Sequence, residues 1–355
     1  MDYFDIGSAT YRETSDFIDS LEEPGFRAGQ IYGWVHKRHA AGFDKMSDLP
    51  KELRKKLSER ALFQGAGYCI KKEDNDGTIK YLLEFKNNII INEEISVETV
   101  FMDYRHGGAV CVSTQAGCPM GCVFCVSGSG GFLRNLTAGE MLAQVYTVSR
   151  DRGKTITNVT LMGSGEPLLN LDNVLRFIEV INSEHGLNIS QRRITLSTCG
   201  VTDKIYELLE KKLQITLAVS LHAPDDAVRK SLMPVAAAYP MDGLLKACKE
   251  YGDRTKRRVT FEYAMIEGIN DAPKQARDLA EKLKHTLAHI NLIPVNPGMG
   301  KDIRPSKAQV VEAFRDILAE RGLAVTIRRS LGSGINAACG QLKHKIMYHN
   351  KEQSQ

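Results

Sequence analysis

Long apolar runs are missing from this 355-residue chain. No stretch of about 18 consecutive apolar residues occurs, which excludes a membrane-spanning helix. The opening residues, MDYFDIGSATYRETSDF, are acidic and polar, so no secretory signal is expected and the cytoplasm is the expected location. A single tryptophan and 7% aromatic residues argue against a surface built mainly for stacking bases. A large charge excess is absent too: 47 basic against 43 acidic residues leaves a net charge of +4. That excess does not by itself demand a nucleic-acid partner. Basic clusters at 51–60, 192–193, 254–258, 328–329 and 343–345 permit one, although each alone reads as a solvated face. There is no internal repeat and no low-complexity linker. With 43% apolar and 25% charged residues, the composition is that of a globular chain with one large domain and a smaller one.

Cysteine, by contrast, is present in quantity and unevenly placed. Four of the eight, Cys111, Cys118, Cys122 and Cys125, fall within fifteen residues. In a chain of this size such clustering points to metal or redox chemistry rather than a structural disulfide framework.

Residues 1–65 read as a small helical module with a basic surface. Phe26, Ile31, Trp34 and Val35 stand near helical spacing, and Pro50 lies near a helix start ahead of Leu53 and Leu57. Residues 66–107 read as strands, with a hairpin turning at Asp74 to Gly77 and a further strand over 95–102. From about 108 to 345 the pattern alternates strand and helix. Strands are predicted over 109–113, 158–163, 194–198, 215–221, 259–265, 290–295 and 325–329. Thr137 and Glu140 form one expected capping box and Ser306 and Gln309 a second, with Gly322 as a helix stop. Leu171, Val174, Leu175, Ile178 and Ile181 form a helical stripe. Repeated strand–helix alternation implies an α/β architecture with a parallel sheet, open or closed into a barrel, and ligand-bearing residues just beyond the strand C-termini. Residues 346–355 read as a polar tail.

The strongest chemical signal is Cys118-Pro-Met-Gly-Cys122-Val-Phe-Cys125, a C-x3-C-x2-C spacing. Three thiolates on one loop suit three corners of a [4Fe–4S] cluster and leave the fourth iron open. Zinc is the rival; it ordinarily wants four protein ligands, with Cys111 or His106 available as the fourth. Cys339, in Asn336-Ala-Ala-Cys339-Gly-Gln, reads either as a packing residue or as a thiol with room for a ligand beside it. Cys111 reads as a strand cysteine and Glu98 as a surface carboxylate, each with a catalytic alternative. Gly163-Ser164-Gly165-Glu166-Pro167 follows a predicted strand, and its glycines would let a ligand approach the backbone. Glu166 is a possible acceptor for an ammonium group. Ser197, Ser220, Leu221, His222 and Asn296 stand at or near the ends of later strands. Cys69, Cys199 and Cys248 read as packing residues, and His36, His39 and His185 as surface residues.

The C-x3-C-x2-C loop opening a βα series resembles the radical-SAM superfamily. The stretches CVSTQAGC, GFLRNLTAGE, GSGEPLLN, RRITLSTCG, AVSLHAP, VTFEYAMIEGIND, HINLIPVNP and AACGQL are similar to the RNA adenosine C2-methyltransferases of the RlmN type, over about residues 20–345. The resemblance implies a partial (β/α)6 barrel with a small N-terminal helical domain and a strand extension. It implies a [4Fe–4S] cluster on Cys118, Cys122 and Cys125. It implies two molecules of S-adenosylmethionine (SAM) per turnover, one as methyl donor and one as radical source. SAM contacts are implied at Gly165, Glu166, Ser197, Ser220, Leu221, His222 and Asn296. By the same resemblance Cys339 is the cysteine that becomes S-methylated, Cys111 the thiol that resolves it through a transient disulfide, and Glu98 the proton acceptor. The implied partners are 23S rRNA, tRNA, and an electron donor such as flavodoxin or ferredoxin. No membrane partner is implied, and a monomer is expected.

Three departures stand out. Gly334 replaces a common aspartate, Ser164 replaces the methionine of GMGEP, and FCVSGSGGF stands where FCATGxxGF is usual. Cfr-type C8 methylation, a non-catalytic RNA-binding paralogue and a zinc-stabilised RNA binder remain as alternative readings.

Overall fold

The computed structural model describes residues 3–63, 65–85, 95–128, 130–295, 303–328 and 332. Cys339, Asn296, Gly334 and the polar tail lie outside the described residues.

The N-terminal elements are β1 (Phe4–Asp5), α1 (Tyr11–Ser20), α2 (Phe26–His36), α3 (Lys51–Arg60) and β2 (Ala61–Leu62), with β1 and β2 paired in parallel. Thr10 and Glu13 cap α1 reciprocally, and Pro50 sits at the N-cap of α3. Ile18, Ile31, Val35, Met46, Leu53 and Leu57 form a core of their own. Phe26, one of the residues near helical spacing, is 63% exposed at the first residue of α2, where its ring carries the Arg27 guanidinium.

His36 and His39 are not surface residues. They are buried where this module meets the main domain, because α2 and the turn after it pack on Tyr146 of the first barrel helix. His36 Nδ1 is 2.8 Å from the Tyr146 hydroxyl, and the His39 ring stacks on Tyr146 at 4.6 Å. Burial lowers His36 to a pKa of about 3 and His39 to about 4, so both are neutral. His185 is exposed, as expected, and stacks on Tyr11.

Next come β3 (Gly67–Glu73) and β4 (Ile79–Phe85), the expected hairpin, with Gly77 at φ 81° in its turn. They are followed by β5 (Ile95–Tyr104), β6 (Gly107–Cys111), and a small pair, β7 (Gln115–Gly117) and β8 (Phe132–Asn135), which flanks the cysteine loop. The alternating region then runs α4 (Ala138–Arg152), β9 (Ile156–Leu161), α5 (Leu171–Asn182), β10 (Ile194–Thr198), α6 (Thr202–Glu210) and β11 (Thr216–Ser220). It continues through α7 (Asp226–Leu232), α8 (Met241–Thr255), β12 (Val259–Met265), α9 (Pro273–Leu283), β13 (Ala288–Pro294), α10 (Ala308–Glu320) and β14 (Ala324–Ile327).

One ten-stranded sheet runs β14-β13-β12-β11-β10-β9-β6-β5-β4-β3. From β6 to β14 every neighbour is parallel, whereas β3, β4 and β5 extend the sheet in antiparallel fashion. Six strands, β6, β9, β10, β11, β12 and β13, are each followed by a covering helix, and β14 ends the series. This is the expected partial (β/α)6 barrel with an N-terminal helical module and a strand extension. The helix-covered face is apolar: Ile194, Leu196, Leu217, Val219, Phe261, Tyr263, Ile290 and Leu292 join one core with the helices. Along the same strands Thr195, Ser197, Thr216, Ser220, Thr260 and Asn291 alternate with them on the opposite face and are only half-buried.

Helix ends follow local chemistry. Thr137 and Glu140 make the expected box ahead of α4. The second box does not form. Lys307 is the N-cap of α10, and the Ser306 hydroxyl is drawn away to donate to Asp271 at 2.7 Å. Gly322, at φ 81°, stops α10 as expected.

Candidate active site

The cysteine loop follows β6, the GSGEP turn follows β9, Cys199 and Gly200 follow β10, and Leu221 and His222 follow β11. Parallel pairing brings these segments to one end of the sheet, where ligand-bearing loops collect.

Cys118, Cys122 and Cys125 are all half-buried on their loop. Gly117, just before it, has φ 81°, and any Cβ there would collide with the Gly131 carbonyl across the β7–β8 pair. Burial and the neighbouring thiols push Cys118 up to about 11 and Cys122 up to about 12, so as free thiols both hold their protons at neutral pH. Among the described residues no three Cys, His, Asp or Glu side chains converge on one ion-sized point. A cuboidal cluster instead takes one thiolate at each of three irons. The backbone N–H groups of Met120 and Gly165 act on the Cys118 thiol in the opposite direction to burial, favouring its thiolate. Backbone N–H groups aimed at a ligand sulfur suit the negative charge of an iron–sulfur group. The three thiols and their donors therefore fit such a cluster.

The GSGEP turn packs tightly against the strand end beside it. Gly165 has φ 103°, and a Cβ there would fall about 2.5 Å from Gln115 Cβ. The Ser164 N–H donates to Ser113 Oγ at 2.9 Å, and the Ser164 hydroxyl donates to the Gly117 carbonyl at 3.0 Å. Glu166 is 3% exposed. Its Oε1 accepts from the Leu168 N–H at 3.0 Å and its Oε2 from the Cys199 N–H at 2.7 Å, while its own N–H donates to Gln115 at 2.8 Å. Burial raises its pKa despite these donors. The carboxylate thus organises the turn and joins it to the end of β10. Cys199 is more than the packing residue expected of it, because its carbonyl also accepts from the fully buried Arg229 guanidinium at 2.6 Å. Cys248 is buried in the main core.

His222 has φ 57° and is 4% exposed. Its Nδ1 accepts from the Ala264 N–H at 2.9 Å, which leaves the ring neutral and its Nε2 carrying the proton. Burial, with Arg229 nearby, lowers its pKa to about 3. The ring meets Phe124, between Cys122 and Cys125, edge to face at 4.7 Å. Asn270, fully buried, fixes this turn by donating to the His222 and Ala264 carbonyls and accepting from the Ile266 N–H. Ser197 and Ser220 are half-buried on the face away from the helices, and Leu221 is fully buried.

Glu98 departs from the surface reading. It is 7% exposed, and its Oε2 lies 2.9 Å from Nζ of Lys80, which is fully buried. The register explains the pair. Glu98 is opposite Leu82 and Val100 opposite Lys80, so Lys80 and Glu98 are diagonal neighbours on one face. Val100 is also opposite Cys111, which puts Glu98 and Cys111 on that same face. Cys111 is half-buried against Val100, Met102 and Ala109. The Glu98 carbonyl accepts from Ser113 Oγ at 2.6 Å, the same hydroxyl that receives the Ser164 N–H. One hydrogen-bond chain therefore links Glu98, the GSGEP turn and the start of the cysteine loop. No disulfide joins two described cysteines, and a Cys111–Cys339 pairing lies outside the described residues. Gly332, in the segment leading to Cys339, donates its N–H to Asp76 in the β3–β4 turn at 2.8 Å.

Sequence reasoning missed Lys80, Arg229, Asn270 and Glu262. Glu262 is 6% exposed, opposite Ser220 on the half-buried face, and accepts from Asn291 at 2.8 Å. Its signal was available in Thr260 and Glu262, which alternate with Val259, Phe261 and Tyr263.

Comparison with known proteins adds to this geometry. Residues 112–280 match the radical SAM superfamily, and residues 5–63 match the ribosomal RNA large subunit methyltransferase N-terminal domain. A probable dual-specificity RNA methyltransferase RlmN from Clostridium novyi is 47% identical over 342 residues, covering 96% of this chain and 98% of its own. One from Lachnospira eligens is 44% identical over 348 residues, covering 97% of each. The crystal structure of a radical SAM methyltransferase from Sphaerobacter thermophilus superposes with a TM-score of 0.89 at 40% identity, covering 95% of this chain and 98% of that one.

Proposed function

The chain belongs to the RlmN-type radical SAM RNA methyltransferases, and from that premise we propose that it methylates C2 of an adenosine in 23S rRNA and of the adenosine beside the tRNA anticodon. The observation that carries this reading is the shared face of Glu98 and Cys111, tied through Ser113 to the turn beside the cysteine loop. A binding protein needs neither residue.

Cys118, Cys122 and Cys125 hold the [4Fe–4S] cluster in this reading. Gly165, Glu166, Ser197, Ser220, Leu221, His222 and Asn296 surround SAM, with Glu166 acting through the turn it organises. When bound, the cluster supplies the electron for reductive cleavage of SAM, and SAM supplies both the methyl group and the hydrogen-abstracting fragment. The Cys339 thiolate accepts the methyl group by displacement. The methyl carbon, one hydrogen removed, bonds to adenine C2, a position that ordinary methyl displacement cannot attack. Glu98 takes the C2 proton, and its place on a rigid strand keeps the carboxylate aimed. Cys111 then attacks the Cys339 sulfur: the S–S bond forms as the sulfur–carbon bond breaks, which frees the RNA. The freed carbon takes up a proton to complete the methyl group, and the one electron left on the adduct would return to the bound cluster. Two SAM molecules are used per turnover.

The adenine must leave any stack to reach these side chains, so a loop or flipped nucleotide is the expected substrate. The N-terminal module, with its basic α3, is the proposed grip on the phosphate backbone. A flavodoxin- or ferredoxin-like donor supplies the electrons, and the chain acts as a cytoplasmic monomer. Nucleoside mass spectrometry on unmethylated 23S rRNA and tRNA tests the reading. The expected product is 2-methyladenosine, whereas 8-methyladenosine would reassign the chain to the Cfr-type reaction.

A further inference from the structure

The Lys80–Glu98 ion pair goes beyond a shared strand face. Lys80 is 0% exposed, although lysine is among the residues least often buried. Withdrawing an ammonium from water is costly, and the cost is offset when an opposite charge stands at hydrogen-bond distance. Glu98 Oε2 stands at 2.9 Å. Burial favours the protonated form of a carboxyl group, whereas a cation beside it favours the carboxylate. Only the carboxylate can accept a proton.

The direction of the pair adds a second argument. Lys80 approaches along the diagonal from β4, one strand beyond β5, while Cys111 lies on β6 at the other side of β5. Glu98 is therefore held from the side away from Cys111. The Ser113 hydroxyl fixes the backbone of the same residue.

We propose that Lys80 is a positioning residue for the proton-transfer step, holding the Glu98 carboxylate in place on the face that also carries Cys111. The inference rests on the functional reading above. In the step it supports, the C2–H bond of the adenine adduct breaks, an O–H bond forms on Glu98, and the electron pair stays with the ring.

The test uses the full chain, reconstituted anaerobically with iron, sulfide, SAM, reductant and unmethylated tRNA. Two products are counted per protein: 5′-deoxyadenosine, formed before proton transfer, and 2-methyladenosine, formed after it. Lys80→Met is expected to behave like Glu98→Gln. First-turnover deoxyadenosine stays within about twofold of native, methyladenosine falls about 100-fold, and a covalent RNA–protein adduct accumulates. Lys80→Arg restores much of the product. Lys80→Met placed in the Glu98→Gln background, where neither charge is left unpaired, costs no further product. Without cofactor, difference infrared spectra report Glu98 directly. Glu98→Gln removes a carboxylate band from the native chain, and the expected frequency of that band is shifted in the Lys80→Met chain, where its cation partner is gone.

Full product formation by Lys80→Met overturns the inference, and so does parallel loss of deoxyadenosine and methyladenosine, the mark of a merely structural lysine. A native chain that yields no methyladenosine overturns the functional reading, and this inference with it. Native methylation beside an active Lys80→Met overturns the inference alone.

Discussion

The Ser164 hydroxyl donates to the carbonyl of Gly117 at 3.0 Å, tying the turn after β9 to the residue immediately before Cys118. The methionine usual at this position in the family has no such donor, so the departure adds a strut between the GSGEP turn and the cysteine loop.

Removing the strut gives the first prediction. Ser164→Ala costs about 1 kcal/mol of stability, the usual net worth of one neutral hydrogen bond. It also speeds loss of iron to a chelator in the reconstituted protein. Urea unfolding and chelation kinetics measure the two effects, and unchanged chelation kinetics would deny the hydroxyl any part in holding the cysteine loop.

Cys118→Ala, Cys122→Ala and Cys125→Ala should each abolish iron binding and deoxyadenosine formation while far-ultraviolet circular dichroism stays native. These side chains are half-buried on a loop and are not part of the sheet. One zinc per native chain, with no iron, would transfer the site to the zinc reading.

Asn270 is fully buried and serves three backbone groups, the carbonyls of His222 and Ala264 and the N–H of Ile266. Each group left without a partner costs about 1–3 kcal/mol. Asn270→Ala should therefore lower stability by about 3 kcal/mol or more and weaken SAM binding through displacement of His222. Chemical denaturation and equilibrium dialysis check both effects. A variant of native stability would mean that water replaces the amide.

Three buried histidines predict acid sensitivity. His36, His39 and His222 are lowered from 6.5 to about 3, 4 and 3, chiefly by burial. The unfolded chain takes up these protons near pH 6.5 and the folded chain only near pH 3–4. The unfolded state thus binds more protons in that window, and stability falls as pH drops from about 6.5 toward 4. The loss from pH 7 to pH 5 is about 2 kcal/mol per histidine. Denaturant titrations at the two pH values measure it, and His39→Gln should reduce the loss. Equal stability at both pH values would contradict the buried neutral state.

Much of the architecture was legible because it is written in local patterns. Alternating apolar positions marked β10 and β12, Thr137 and Glu140 marked the start of α4, and three closely spaced cysteines marked the cluster loop. What escaped depends on contacts distant in the chain. Lys80 and Glu98 meet only through antiparallel register, which spacing does not reveal. His36 and His39 have polar neighbours in sequence and owe their burial to Tyr146, more than a hundred residues away. Ser306 looked like a cap, yet Asp271 competes for its hydroxyl from the α9 side. Glu166 was expected at the ligand; what spacing does not show is that the Leu168 and Cys199 N–H groups each also engage one of its oxygens, so that it organises the turn as well.

The central claim is C2 methylation of RNA adenosine by Glu98, Cys111 and Cys339 beside the cluster loop. Its most direct test is mass spectrometry of nucleosides from unmethylated 23S rRNA and tRNA after anaerobic incubation with reconstituted protein, reductant and SAM. The account predicts 2-methyladenosine with the native chain and none with Cys339→Ala. Deoxyadenosine formation without any methylated adenosine in either RNA would contradict it.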